Sequence, residues 1–470
     1  MDTADMCAAL ERQRRAHLQD MTPDAAQRLD RLDRLAVMTN ENVEAICTAI
    51  SADFGNRSKH ETLVADIYTV QSGVAHARRH VRGWMKPRRV STALTFRPGS
   101  NRLLPQPLGV VGVVSPWNYP YDLAIGPTLA AFAAGNRVML KPSELTPRTS
   151  ELMAALAGKY FKPEEFLVVL GDAKVGQVFT ELPFDHLIFT GSTPVGRLVA
   201  QASAKNLTPT TLELGGKSPA ILDASVDMKR AAGSIMFGKC FNAGQTCIAP
   251  DYALTPRDKV GLFVEATRSA VAGMYPKLAG NPDYTSIVNE RHYQRLQSLL
   301  RDAEDKGAKT IALNPAGENF DPALRKIPPT LVLDARPDMA IMQEEIFGPL
   351  LPVIAYDRLD EALAFINGRD RPLALYWFGE NAGNRDHVLA NTISGGVTIN
   401  DTLLHFAQEE QPFGGVGPSG MGAYHGHWGF DAFSKLKPVF YQSKLNGAGL
   451  LRPPYGATFD RILSLIRKFA

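Results

Sequence analysis

Four short apolar runs between residues 109 and 190 each break off at a polar cluster, and this repetition constrains the fold more than any other feature. GVVGVV (109–114) gives way to Ser115-Pro116-Trp117-Asn118, and the run 136–140 to Lys141-Pro142. FLVVL (166–170) is followed by Gly171-Asp172, and HLIFT (186–190) by Gly191-Ser192. Spans with helical character, 121–135 and 149–160, lie between them. Strands alternating with helices at this spacing predict an α/β fold with a doubly wound, mostly parallel sheet. Such sheets take ligands at the carboxyl ends of their strands, where all four polar clusters fall, so together they mark a nucleotide or cofactor site.

The rest of the chain organises around that unit. Residues 1–85 show helical periodicity, with Leu29, Leu32, Leu35 and Met38 on one stripe and Val43, Ile46, Cys47 and Ile50 on the next, until Pro87 stops the pattern. Residues 88–108 change to β-formers broken by Pro-Gly and Pro, a hairpin or extended arm. A second α/β unit begins near 212–216, with helices predicted over 228–241, 259–274 and 293–307 and strands over 350–356, 373–378 and 395–400. Near the end, 438–444 reads as a strand followed by a packed extension. A length of 470 residues supports two or three domains sharing large interfaces.

Composition narrows the function classes. With 51 basic against 48 acidic residues there is no large basic field, which speaks against a nucleic-acid partner. No apolar run reaches 18 residues and the first twenty carry no signal-type apolar region, so a cytoplasmic protein without an integral membrane segment is expected. The last ten residues, RILSLIRKFA, are apolar and basic, and a packed terminal helix is favoured there over a peripheral membrane contact. Four cysteines are too few for a disulfide framework and fit a reducing compartment.

One cysteine stands apart. Cys7 lies near a terminus expected to fray, Cys47 on an apolar stripe, and Cys240 in an apolar helix. Cys247 follows the polar, glycine-containing Asn242-Ala243-Gly244-Gln245-Thr246, where free backbone N–H groups can lower a thiol pKa and stabilise an oxyanion. Glu213 sits between Leu212 and Leu214 just before Gly215-Gly216, a costly place for a charge unless it faces a polar pocket. The alternative is a capped or salt-bridged strand end. Burial would raise its pKa towards the range useful to a general base. Gly191 and Gly196 bracket a tight turn that can aim helix N–H groups at a phosphate or be a plain strand-to-helix turn. Lys141 and Glu144 can hold a ribose, or be solvated charges at a helix start.

The motifs PWNYP (116–120), LKPSELTP (140–147), FTGSTPVG (189–196), LELGGKSP (212–219), FNAGQTC (241–247), EEIFGP (344–349) and PFGGVGPSGMG (412–422) resemble the aldehyde dehydrogenase superfamily, in family order over about residues 20–445. PWNYP, the short N-terminal region and the ending at 419–434 resemble its dimeric, class 3-like branch, and within it the bacterial coniferyl aldehyde dehydrogenases. The resemblance implies a Rossmann-type cofactor domain (1–87 and 109–212), an α/β catalytic domain (213–415), a small β oligomerisation arm (88–108 and 430–445), a C-terminal extension (446–470) and a homodimer. It implies NAD(P)-dependent oxidation of an aromatic aldehyde such as coniferyl aldehyde, with Cys247 as nucleophile, Glu213 as general base and Asn118 as oxyanion donor with the Cys247 N–H. Lys141 and Glu144 would hold the adenosine ribose, Gly191 and Ser192 approach the pyrophosphate, and Gly196 close the turn. Glu345 would bind the nicotinamide ribose, with Phe347 and Trp117 also in the cofactor set. No metal enters this chemistry. NAD is expected over NADP because Glu144 repels a 2′-phosphate. A CoA-acylating relative and a non-catalytic binding protein on the same scaffold are the competing readings. Trp117, Tyr119, Tyr121, His405, Phe406 and Phe413 are candidates for a substrate wall. The run 406–411, FAQEEQ, is more acidic than an apolar gate requires and has no role assigned from sequence.

Overall fold

The four apolar runs become neighbours in one sheet. The structure, a computed structural model, describes residues 1–468. A six-stranded sheet runs in the order Gly420–Met421, Thr210–Glu213, His186–Thr190, Val110–Val114, Arg137–Lys141 and Phe166–Val168. All neighbours are parallel except the Gly420–Met421 edge. Every residue of Arg137–Lys141 is buried, which is why such strands read as unbroken apolar runs rather than alternating ones. The chain enters at Val110–Val114, winds outward through Arg137–Lys141 to Phe166–Val168, and returns to the other side of Val110–Val114 as His186–Thr190. That reversal leaves a crevice at the carboxyl ends of the two central strands. The helix Asp122–Ala134 packs beneath it, buried on nearly every side and closed by left-handed Gly135.

A seven-stranded sheet follows, in the order Lys309–Ala312, Thr330–Leu333, Leu350–Tyr356, Tyr252–Pro256, Pro219–Leu222, Ala374–Phe378 and Gly396–Ile399. The predicted runs at 350–356, 373–378 and 395–400 are among them. The strands at 219, 252, 309 and 330 were not anticipated. The first sheet ends at Glu213 and the second begins at Pro219, so Glu213 closes a strand of the first sheet rather than opening the second unit.

A third, antiparallel sheet joins Arg88–Val90, Ser100–Pro107 and Ser434–Tyr441. The resemblance assigns these segments to an oligomerisation arm, but they pair with each other within the same chain and not across a second copy. Ser434 pairs with Pro107 and the register runs eight residues to Tyr441 opposite Ser100. Arg88 ties the sheet to the body through Asp431 at 2.7 Å.

Two expectations about the ends are corrected. Cys7 is exposed but lies in an ordered helix, Thr3–Gln19, started by a reciprocal Asp2–Asp5 capping box. Met6, Ala9 and Leu10 of that helix pack on Val110, Met139 and Leu187, and this burial holds a segment that would otherwise fray. At the other end the helix Ala457–Arg467 buries none of its residues, so it is not a packed terminal helix. The last two residues of the 446–470 extension lie outside the described residues.

Candidate active site

The segment 241–248, which carries Cys247, is held by residues far from it in sequence. Asn242 and Ala243 both adopt left-handed backbone (φ 52° and 50°), uncommon for residues with a Cβ, and the surroundings must supply what this costs. Glu61 accepts the Asn242 N–H at 3.1 Å and the Thr285 hydroxyl at 2.7 Å. The Asn242 side chain donates to the carbonyls of Asn118 (3.0 Å) and Gln245 (3.0 Å). The Gln245 side chain donates to Ser286 O at 3.1 Å and accepts from Val288 N at 2.9 Å. Gly244 has φ 73°, and a Cβ there would run into the carbonyl of Gly348. The turn is over-determined, so Cys247 is presented in one place.

Asn118 is fixed from the other side. Its carbonyl accepts from the Arg57 guanidinium at 2.8 Å, and its Nδ2 donates to Gln245 O at 3.2 Å, leaving one N–H for another acceptor. Arg57 lies under this loop, its side chain fully buried, over the Tyr119 ring at 4.9 Å and 3.4 Å from Asp66. Asp66 in turn accepts the N–H groups of Tyr121 and Asp122, each at 3.1 Å. It is placed there by the π-helical segment Leu63–Tyr68, a local widening often found near functional sites. Sequence reasoning missed Arg57, Glu61, Asp66, Asn242 and Gln245 as supports. Only tertiary contacts mark them, apart from the polar character of 242–246.

Glu213 ends its strand beside Thr190 on one side and Gly420 on the other. It is 2% exposed, and neither carboxylate oxygen has a hydrogen-bond partner in the protein. Desolvation alone lifts its pKa well above the carboxylate range. This excludes the capped or salt-bridged strand end. Glu345 is pushed up to about 8, by burial first and then by Asp251, against the Gly216 N–H that favours its charged form. The Cys247 thiol is also raised, by burial first and then by Glu345 and Glu213. The backbone N–H groups of Cys247 and Ile248 do favour the thiolate, as expected from sequence, but the other two influences outweigh them. Lys239, fully buried with no partner for its Nζ, is lowered to about 8 by desolvation and was also not anticipated.

The cofactor candidates gather at the carboxyl ends of the six-stranded sheet. Ser192 precedes the helix Thr193–Ala204 with extended backbone and no side-chain cap, so the first N–H groups of that helix are open to an anion. Pro194 sits in its first turn, where a proline is tolerated. Gly191 donates to Glu213 O at 3.0 Å, and a Cβ on Gly196 would come within 2.5 Å of Leu214. Lys141, buried at its strand end, donates to Pro142 O at 2.7 Å and stands 3.8 Å from the exposed Glu144. Burial lowers the Lys141 pKa. Across the crevice, Trp117 meets Phe347 edge-on with ring centroids 5.3 Å apart, and Phe347 has φ 51°. A Cβ on Gly215 would collide with the Glu345 carboxylate, so that glycine is what lets Glu345 approach. An open helix N-terminus, a lysine–carboxylate pair and closely approached glycines fit a dinucleotide.

The substrate-wall candidates divide. Tyr121 is core: it is fully buried and hydrogen-bonded to Thr39 at 2.8 Å. Tyr119 is buried against the 241–248 turn, its hydroxyl 2.6 Å from Thr246. His405 stacks on Phe413, and Phe406 meets Phe413 edge-on at 4.8 Å. A cavity of about 340 Å³ opens between the helices Thr69–Trp84 and Asp122–Ala134 and the 406–426 segment, with Tyr68, Trp84, Asp122, Phe406, Glu409 and Tyr424 in its walls. None of Cys247, Glu213 and Asn118 lines it.

With this geometry in hand, residues 1–439 match the aldehyde dehydrogenase family. The chain belongs to the aldehyde dehydrogenase family. It is 52% identical over 456 residues to a probable coniferyl aldehyde dehydrogenase of Pseudomonas aeruginosa, covering 97% of this chain and 95% of that protein. It is 50% identical over 462 residues to a coniferyl aldehyde dehydrogenase of a Pseudomonas species, covering 98% and 95%. The substrate-bound structure of Staphylococcus aureus AldH superposes with a TM-score of 0.92 at 38% identity, covering 98% and 99% of the two chains. This aldehyde dehydrogenase is therefore an NAD(P)-dependent enzyme that oxidises aldehydes on the α/β fold described above. Among the described residues no helix is long and apolar enough to cross a membrane.

Proposed function

We propose that this aldehyde dehydrogenase converts an aromatic aldehyde of the coniferyl type to its carboxylic acid through a thiohemiacetal and then a thioester on Cys247. The observation that carries the hydrolytic route is Glu213, a buried carboxyl with no protein partner, whose charge acts on the Cys247 thiol. The names of the two Pseudomonas relatives support the substrate class.

In this reading the Cys247 thiol first gives its proton to solvent water, and the thiolate sulfur then attacks the carbonyl carbon. The new oxyanion accepts from the free Asn118 Nδ2–H and the Cys247 N–H. When bound, NAD(P) supplies the acceptor for the hydrogen and electron pair that leave the aldehyde carbon. Water then attacks the thioester as Glu213 takes its proton, the C–S bond breaks, and the Cys247 thiolate is released. Because burial raises both pKa values, both the thiolate and the ionised base become more populated as pH rises.

Lys141 and Glu144 would hold the adenosine ribose, Ser192 with Gly191 and Gly196 the pyrophosphate, and Glu345, Phe347 and Trp117 the nicotinamide end. Glu144, exposed in the turn after the strand Arg137–Lys141, favours NAD over NADP. We read 1–87 with 109–213 as the cofactor domain, 214–415 as the catalytic domain, and 88–108 with 430–445 as an oligomerisation arm. Its outer strands keep open edges that a second copy can use, so we take the enzyme to be a cytoplasmic homodimer.

An aldehyde panel assayed with NAD and NADP, with and without CoA, tests this. Coniferyl-type aldehydes should exceed short aliphatic ones in kcat/KM by about tenfold or more, NAD should be preferred, the product should be the free acid in every case, and Cys247→Ala should form no NADH. An acyl-CoA product, or turnover surviving Cys247→Ala, would overturn the mechanism. Sedimentation should give two chains per particle, and a monomer at micromolar concentration would remove the dimer.

A further inference from the structure

The acidic run 406–411, left without a role by the sequence, meets two histidines. The geometry points to a site for a zinc-type divalent ion, built by His76, His80 and Glu410 and separate from the catalytic centre. The candidate ligand atoms of the three side chains lie within 4.8 Å of one another. His76 and His80 are four residues apart on the helix Thr69–Trp84, which puts both imidazoles on one face, their rings 4.2 Å apart. Glu410 comes from the loop above.

Each ligand is prepared by its neighbours. The His80 Nδ1 lies 2.9 Å from the His76 carbonyl oxygen. Only a protonated Nδ1 can donate there, so in the neutral ring Nε2 keeps its lone pair. The Trp84 ring stacks on His80 at 5.8 Å and 15°, limiting its rotation. His76 is 7% exposed, yet its Nε2 has no hydrogen-bond partner, an expensive state for a buried polar atom. Its nearest carboxylate oxygen is Glu410 Oε1 at 3.5 Å. That is long for a charge-assisted hydrogen bond, usually about 2.7–2.9 Å. It is close to the edge of a tetrahedron whose ligands stand about 2.0–2.1 Å from a zinc ion, roughly 3.4 Å.

Two imidazoles and a carboxylate select zinc, cobalt or nickel over magnesium or calcium. Glu410, 76% exposed at its side chain, gives the ion a path from solvent and leaves the fourth position to water. Gly426 makes the approach feasible: a Cβ there would collide with the Glu409 carbonyl and stand 3.3 Å from His76 Nε2. A bound ion would join the Thr69–Trp84 helix to the 406–411 loop. Both line the 340 Å³ cavity, so the ion would tie two of its walls together.

The test is zinc titration calorimetry on chelator-treated protein in a Cys7→Ala, Cys247→Ala background, so that neither the exposed Cys7 nor the partly accessible Cys247 binds the metal. One zinc per chain is expected, with Glu410→Gln weakening binding about tenfold and His80→Ala about a hundredfold, while His427→Ala, a nearby imidazole outside the cluster, leaves it unchanged. These variants alter exposed or half-buried side chains, so melting curves of the metal-free proteins should coincide with that of the parent. Millimolar magnesium should not compete. Absence of a stoichiometric site, equal binding by all variants, or displacement by magnesium would overturn the assignment.

Discussion

The crevice proposed for the cofactor and the turn that carries Cys247 are built in opposite ways. The crevice is made from local devices: Ser192 starting the helix Thr193–Ala204, Gly191 and Gly196 in one turn, Lys141 three residues from Glu144. The residues that define each device lie close together in sequence, so each can be recognised in a short stretch, even where Gly191 and Gly196 pack on Glu213 and Leu214. The cysteine turn depends on contacts across the chain. Glu61 reaches Asn242 over 181 residues, and Asn242 reaches Asn118 over 124. Glycine supplies close approach in the crevice, whereas in the turn Asn242 and Ala243 hold left-handed backbone through hydrogen bonds from elsewhere. A site that binds a rigid anion can use generic backbone geometry. A nucleophile has to be aimed, and aiming requires contacts from several directions.

The sharpest way to separate the two regions is Glu213→Gln. It should reduce steady-state turnover by about 10²–10³-fold with a pre-steady-state burst of NADH retained and cofactor binding little changed. Loss of the burst would instead place Glu213 in thiol activation. A smaller effect is expected from Gly196→Ala, whose Cβ would press on Leu214 at 2.5 Å. The cofactor KM should rise about tenfold with kcat nearly constant, and an equal fall in kcat would mean that the crevice and the turn are mechanically coupled. The smallest effect concerns the pH dependence of stability. Burial lifts the Glu61 pKa from 4.5 to about 7 even though Arg57, Thr285 and the Asn242 N–H favour its charged form. Between those values the folded protein holds a proton that the unfolded chain releases. This group's contribution therefore falls as pH rises from about 4.5 to 7, at up to roughly 1.4 kcal/mol per pH unit, and is constant above. Glu61→Gln should flatten that portion of the denaturation-midpoint profile, and an unchanged slope would show that Glu61 does not titrate there.

Much of the fold was legible in residues 109–190, since strands buried on both faces appear as unbroken apolar runs. The second sheet was only partly legible: strands such as Pro219–Leu222 and Thr330–Leu333 were not anticipated, and it is pairing with distant strands that places them. Tyr121 shows the same limit at the site. Near Asn118 in sequence it resembles a pocket wall, yet just before the helix Asp122–Ala134 it turns towards Thr39 and into the core.

By itself the sequence determined the strand–helix alternation, the crevice it creates, and which cysteine and which acids stand in unusual company. Those features follow from local polarity, periodicity and backbone preference. Only the tertiary structure decided that Glu213 has no protein partner and that the Cys247 thiol is raised rather than lowered. It also decided that residues 100–107 pair with 434–441 within one chain, and that the acidic run 406–411 ends beside His76 and His80. Burial, desolvation and long-range pairing depend on what folds over a residue, and no window of neighbouring sequence contains that.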